Sequence, residues 1–246
     1  MKNIIVGNWK CNPNTKKEAA KIMQTIIRKS GLYKKSEIII CPPSVFLPLC
    51  KKGPVKFGIQ NFYNKDGAYT GEISIAMAKD QGCKYALVGH SERRRNFGET
   101  DSDANLKIKA ALATKITPIL CVGETIEEKA KNKTLEVIKK EILHGLSGIK
   151  DDIDQIVIAY EPVWAIGAAQ ACNPEMAKEI CIYIRQIIEN VYGPGSGNKI
   201  SVLYGGAVTP ENAAPFISAA GMNGLLIGRA SLDPQQFLSI IKNCEN

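Results

Sequence analysis

Short, nearly unbroken apolar runs recur along this chain, separated by stretches in which apolar residues return every three or four positions. The runs are IIVGN (4–8), EIIIC (37–41), KFGIQ (56–60), KYALVGH (84–90), TPILCVGE (117–124), IVIAYEP (156–162), ISVLYGG (200–206) and GLLIG (224–228). Apart from Gly58, each is almost continuously apolar and rich in β-branched residues, as strands covered on both faces of a parallel sheet require. Between them lie helix signals. Thr15 and Glu18 have capping-box spacing ahead of AAKIMQTIIRK. Asn173-Pro174, Thr209-Pro210 and Asp233-Pro234 each set a capping residue before a proline suited to the first helical position. Helical spacing also runs through 102–114 and 130–146, whereas 44–50 has room only for a short helix.

Eight strands that each lead into helical sequence predict an α/β protein: a single (β/α)8 barrel of eight parallel strands ringed by helices, one domain spanning residues 1–246. Two doubly wound halves would give a similar alternation, but no Pro/Gly/Ser-rich divider separates them. In a barrel of this kind the chemistry sits at the carboxyl ends of the strands. Those ends carry Asn8 and Lys10, Gln60, His90, Glu124, Glu161, Gly205-Gly206 and Gly228.

Several of these residues suit acid–base work. Pro162 restricts the backbone of Glu161 to extended geometry, so the carboxylate is presented in a fixed direction. Trp164 would give it an apolar surround that improves it as a base. His90 precedes SERRR, where Ser91 can cap a short helix whose positive end disfavours imidazolium. A neutral ring could then donate a hydrogen bond to a carbonyl. His144, before Gly145, reads instead as a helix-end residue. Lys10 would compensate an anionic substrate at the barrel mouth. The glycines after strands seven and eight leave backbone N–H groups free for an anion, the usual phosphate cradle of such barrels. Together these groups suit proton abstraction next to the carbonyl of a small phosphorylated compound.

Bulk properties narrow the partners. The 246 residues carry 32 Lys and Arg against 24 Asp and Glu, a net charge of +8. The basic pairs are scattered and lack interleaved aromatics, which argues against a nucleic-acid partner. Eight cysteines without a C-x-x-C pair read as reduced, packed thiols and not as a disulfide framework or zinc site. The opening MKNIIVGNWK is too short in apolar residues for a secretory signal, and no run is long enough to span a membrane. The chain reads as cytoplasmic, with no membrane partner and no metal-ligand cluster.

The motifs GNWK (7–10), GAYTGEIS (67–74), GHSERR (89–94), YEPVWAIG (160–167) and YGGAV (204–208), followed by GRASL (228–232), closely resemble the triosephosphate isomerase family, in family order over nearly the whole chain. The family is itself a worked case of a carboxylate base paired with a neutral imidazole under a mobile lid, so those roles come with the resemblance. It implies interconversion of dihydroxyacetone phosphate and D-glyceraldehyde 3-phosphate through an enediolate, without metal or organic cofactor. Glu161 would move the proton, His90 polarise the carbonyl and Lys10 stabilise the enediolate. Asn8 would orient the site, and Glu92 would support it from behind. Backbone groups near Gly167, Ala207, Gly228 and Arg229 would hold the phosphate, under a lid formed by Ala165, Ile166, Gly167, Ala168, Ala169 and Gln170. The resemblance also implies a homodimer, in which Thr70 reaches the other subunit's site and Cys11 lies near the contact.

The chain departs from the family in three places. The lid usually continues as Thr-Gly-Lys where this chain has Ala168-Ala169-Gln170. Ala207 replaces a serine whose hydroxyl would bond the closed lid, a loss of about 0.5–1.5 kcal/mol, or roughly 2- to 13-fold in closure. Arg229 stands where a second glycine is usual. Competing readings are another phosphate-binding barrel, such as an aldolase, or a barrel retained as a binding module. A Schiff-base aldolase would need a lysine where Glu161 stands, and the intact Lys10, His90 and Glu161 speak against lost catalysis.

Overall fold

The structure is a computed structural model that describes residues 2–50, 53–150, 152–167 and 171–245. Eight strands run in sequence order around a closed barrel: β1 (Asn3–Asn8), β2 (Ser36–Cys41), β3 (Val55–Ile59), β4 (Tyr85–Val88), β5 (Thr117–Val122), β6 (Val157–Tyr160), β7 (Ser201–Tyr204) and β8 (Gly224–Ile227). All neighbours are parallel, and β8 closes on β1 with Ile4 opposite Gly224 and Gly7 opposite Ile227. The expected (β/α)8 barrel is therefore present, with each strand within a few residues of its apolar run.

Around the ring the chain forms α1 (Lys16–Ser30), α2 (Ile75–Asp80), α3 (Ser91–Phe97), α4 (Asp101–Ala113), α5 (Ile126–Ala130), α6 (Thr134–Gly145), α7 (Pro174–Tyr192), α8 (Ala213–Ser218) and α9 (Pro234–Asn243), plus short 3-10 turns that include Ser44–Leu49. Asn173 and Asp233 cap α7 and α9 as their Asn-Pro and Asp-Pro pairs predict. Thr15 accepts the Glu18 N–H at the start of α1, but its hydroxyl, not its backbone, donates back to the Glu18 carboxylate. Thr209-Pro210 does not begin a helix. Asn212 Oδ1 accepts the Thr209 N–H, which closes a turn first, and α8 starts only at Ala213.

Strand residues alternate between two apolar layers because successive side chains point to opposite faces. Val6, Ile39, Cys41, Leu87, Ile119, Cys121, Val157, Ala159, Leu203 and Leu226 fill the barrel interior. Ile5, Ile38, Ile40, Val88, Leu120, Ile158, Val202 and Leu225 face the helices. Both layers being apolar explains why the runs read as continuous. Gly58, the one interruption, lies where a Cβ would sit 2.7 Å from Cys41 Sγ and 3.1 Å from the Tyr85 carbonyl oxygen. No helix among the described residues is long and apolar enough to cross a membrane.

Gly58→Ala should overpack the interior, costing about 1–3 kcal/mol and lowering Tm by roughly 2–12 °C. Adding Cys41→Ala should recover part of the loss, because it removes the clashing sulfur. Thermal melts of the single and double variants check this, and strict additivity would place the strain elsewhere.

Candidate active site

The carboxyl ends of the strands gather polar side chains that are buried despite their polarity. Asn8, His90, Glu124 and Glu161 are each at most 6% exposed. Such groups need partners, since burial without them is costly. The partners define the site.

Glu161 leaves β6 with its N–H donating to the Val122 carbonyl at 2.7 Å. Its Oε1 lies 3.2 Å from His90 Nε2, and its Oε2 accepts the Ser91 N–H at 3.0 Å. Gly205 packs on the same side chain: a Cβ there would lie 2.9 Å from Glu161 Cγ. His90, not Ser91, is the cap of α3, its Nδ1 accepting the Glu92 N–H at 3.2 Å. The helix thus begins one residue earlier than expected, and the free amide of Ser91 is released for Glu161. A ring nitrogen that accepts an amide N–H carries no proton. His90 is therefore neutral in this geometry, with its proton on Nε2 toward Glu161.

Lys10 stands across the mouth. Its backbone has φ of 53°, a left-handed conformation that a non-glycine residue adopts at a cost of about 1–3 kcal/mol. Two side chains hold it there. Asn8 Oδ1 accepts the Lys10 N–H at 3.0 Å, and Gln60 Nε2 donates to the Lys10 carbonyl at 2.9 Å. The ammonium meets Glu92 Oε1 at 2.5 Å, while Glu92 Oε2 lies 3.9 Å from His90 Nδ1. A Cβ on Gly228 would be 3.8 Å from the Lys10 ammonium nitrogen, so the turn after β8 borders the same space. Ser231, fully buried, donates to the Gly228 carbonyl at 2.7 Å and fixes that turn.

The structure thus brings together Asn8, Lys10, His90, Glu92, Glu161 and Gly228. Ala207 is half-buried after β7, with its carbonyl accepting from Asn212 Nδ2. Arg229 is exposed. Ala165 is buried in a short turn, and Ile166 and Gly167 follow it outward. Ala168, Ala169 and Gln170 lie outside the described residues. Beyond them, the Cys172 N–H donates to the Tyr204 hydroxyl at 3.0 Å, which ties the far end of this loop to the YGG strand. Cys11 and Thr70 are exposed, on the loops after β1 and β3.

Trp164 has polar partners of its own. Its indole N–H donates to Glu124 Oε1 at 2.7 Å, and the Lys129 ammonium sits 3.1 Å from its ring centroid. Burial pushes the Glu124 carboxyl above the ordinary range, partly offset by Trp164 and Tyr160. Behind His90, Glu99 accepts the Gly89 N–H at 2.8 Å and pairs with Arg93 and Lys107. Glu99 eluded sequence reading because it stands in a polar stretch, FGETDSD. Glu141, also missed, had a signal: Ile138, Glu141, Ile142 and Gly145 are the buried stripe of α6, and one of the four is charged. A cavity of about 450 Å³ bordered by Pro13, Ile22 and Pro234 holds none of the acid–base groups, so converging polar atoms, not volume, mark the site.

A family model described as triosephosphate isomerase matches residues 3–244. The triosephosphate isomerase of Dictyoglomus thermophilum is 45% identical, over 98% of this chain and 99% of its own. That of Aquifex aeolicus is 45% identical with the same two coverages, and that of Alkaliphilus metalliredigens is 44% identical over 98% of both chains.

Burial alone would raise the Glu99 carboxyl, but Lys107, then Arg93 and the Gly89 N–H, pull it below the ordinary range. A depressed carboxyl stabilises the fold above its unfolded pKa of about 4.3 and loses that contribution as acid protonates it. Glu99→Gln should therefore lower Tm at pH 7, with the gap to the unmodified protein closing between about pH 5 and pH 3. A gap independent of pH would mean that the charge of Glu99 contributes nothing.

Proposed function

We infer the reaction from one premise: the chain belongs to the triosephosphate isomerase family. It interconverts dihydroxyacetone phosphate and D-glyceraldehyde 3-phosphate, the isomerase step shared by glycolysis and gluconeogenesis. The observation that carries this reading is the placing of the Glu161 carboxylate 3.2 Å from His90 Nε2, at a mouth shared with the Lys10 ammonium.

In the proposed mechanism Glu161 takes a proton from the carbon beside the carbonyl. The C–H electron pair becomes the C=C bond of the enediolate, and the carbonyl oxygen takes up negative charge. His90 Nε2–H donates to that oxygen, and Lys10 offsets the charge electrostatically. The proton of the adjacent hydroxyl passes to the former carbonyl oxygen, with His90 Nε2 as the relay, and return of the proton from Glu161 to the neighbouring carbon completes the exchange, so atoms and charge balance. Glu161 must first leave Ser91 and His90, because both of its oxygens are engaged there. Asn8 keeps Lys10 aimed, and Glu92 holds its ammonium until substrate arrives. Backbone N–H groups of Gly167, Ala207, Gly228 and Arg229 would take the phosphate. The segment 165–170 would close over it, excluding water so that the enediolate keeps its phosphate. The Tyr204–Cys172 bond supports such a hinge at the far end of the loop. No cofactor is assigned a role.

We further propose that residues 1–246 act as one catalytic domain, that the protein works in the cytoplasm, and that two copies pair. Val45, Met77 and Phe97 are 75%, 58% and 70% exposed on the connections after β2, β3 and β4, which are adjacent strands. Covering these apolar side chains would favour pairing if they meet one partner surface. Cys11 and Thr70 lie on neighbouring loops, which suits a thiol at the contact and a threonine reaching the partner.

A coupled assay with dihydroxyacetone phosphate tests the chemistry. Glu161→Gln should lower kcat by about 100- to 10,000-fold while keeping the fold, and comparable rates would show that another group is the base. For the assembly, sedimentation velocity should report a dimer that dissociates once Cys11 carries a bulky thiol reagent. A dimer that persists after confirmed labelling would remove Cys11 from the contact.

A further inference from the structure

Glu141 lies on α6, on the outer side of the barrel from the acid–base pair, yet its carboxylate is turned inward and its side chain is only 11% exposed. Oε2 accepts the Gly123 N–H at 2.8 Å, and Oε1 lies 3.6 Å from Arg94 Nη1. Each partner touches the backbone that mounts one half of the acid–base pair.

Gly123, just past β5, is pressed against Glu161. A Cβ there would fall 1.9 Å from the Glu161 carbonyl oxygen and 3.2 Å from its nitrogen. The residues on either side bind the same segment: Val122 accepts the Glu161 N–H at 2.7 Å, and Glu124 accepts the Val163 N–H at 3.0 Å. Displacing Gly123 therefore displaces the backbone of Glu161. Arg94, on α3, donates from Nε to the Gly89 carbonyl at 2.7 Å, immediately before His90, and from Nη1 to Asp101 at 2.6 Å. One buried carboxylate thus bears on both mounts.

We propose that Glu141 is a positioning residue for the acid–base pair, fixing the mount of Glu161 through Gly123 and that of His90 through Arg94. The proposal rests on the isomerase reading above and adds a residue that touches neither substrate nor reacting atoms. The charged form does this work, since ionised Glu141 both attracts Arg94 and strengthens its bond to the Gly123 amide.

The charge is conditional. Burial raises the Glu141 carboxyl to about 7, against the pull of Arg94 and the Gly123 N–H. The charged groups facing it are Arg94 from α3, Asp101 from the start of α4 and Glu128 from α5. Its own helix adds His144, whose Nδ1 lies 3.6 Å from Asp101 Oδ2. Above neutrality the carboxylate is charged and the clamp is tight. On acidification it takes up a proton and the Arg94 attraction lapses.

Glu141→Gln isolates that charge, because its amide oxygen can still accept the Gly123 N–H. Steady-state kinetics from pH 5.5 to 9 should show kcat of the variant lowered about 3- to 10-fold at pH 8 with KM within twofold, short of the roughly 100-fold that a 1 Å misplacement can cost. The ratio of unmodified to variant kcat should fall toward one by pH 5.5, where both side chains are neutral. Glu141→Asp, which keeps the charge but shortens the reach, should recover part of kcat at pH 8. A ratio of one at every pH, a ratio that ignores pH, or a change confined to KM would overturn the assignment. An unmodified protein without isomerase activity would instead overturn the reading beneath it. If the Gln variant does not fold, the unmodified protein decides: the Gly123 amide NMR shift should titrate with the same midpoint as a step in kcat, and an amide indifferent to that step refutes the clamp.

Discussion

Hydrogen bonding between β8 and β1 turns eight parallel strands into a ring, and every feature of the site depends on that closure. Ile4 through Gly7 register with Gly224 through Ile227, which sets Lys10 beside Gly228 although more than two hundred residues separate them in sequence. Because all strands run the same way, their carboxyl ends share one rim. The order around the ring then carries Asn8, His90, Glu124 and Glu161 to that rim, above layers of mainly apolar side chains. An open sheet with the same elements would leave the first and last strands far apart.

Polar groups at the rim survive burial because each is held by donors or acceptors from another element. Glu161 draws on the first amide of α3, His90 on the second, and Glu99 on Gly89, Arg93 and Lys107. The short helix α3 therefore serves both members of the acid–base pair with amides that its own hydrogen-bond ladder leaves unused. Charge is arranged in layers: reacting groups face the mouth, and paired charges such as Arg94 with Asp101 stand behind them. Fixed dipoles and ion pairs of this kind need no reorganisation as charge develops on a substrate.

Much of this was legible in the sequence, for identifiable reasons. The strands could be read because both of their faces are covered, so hydrophobicity is continuous and hard to mistake. Glu161, His90 and Lys10 stand at strand ends, where a polar residue after an apolar run signals itself. Cooperative details were less visible. Thr209-Pro210 carries a helix-start signal, yet the Asn212 side chain three residues later captures the Thr209 amide and delays the helix. Trp164 is near Glu161 in sequence, but the turn at Val163–Ala165 swings its indole to Glu124. Neither the left-handed backbone of Lys10 nor the two side chains clamping it can be read from local composition. Glu141 was hidden by an ordinary helical pattern whose single charged member meets strands far away in the chain.

The left-handed turn at Lys10 has a consequence for how such a chain drifts under mutation. Glycine would occupy that backbone at ease, and asparagine nearly so, whereas lysine is retained there against its own preference. Thermodynamic comfort and chemical usefulness therefore favour different residues at one codon. A copy of this gene released from selection for turnover would find in the first loop a substitution that relaxes the chain as it silences it, and inactivity could arrive there without any sign of misfolding.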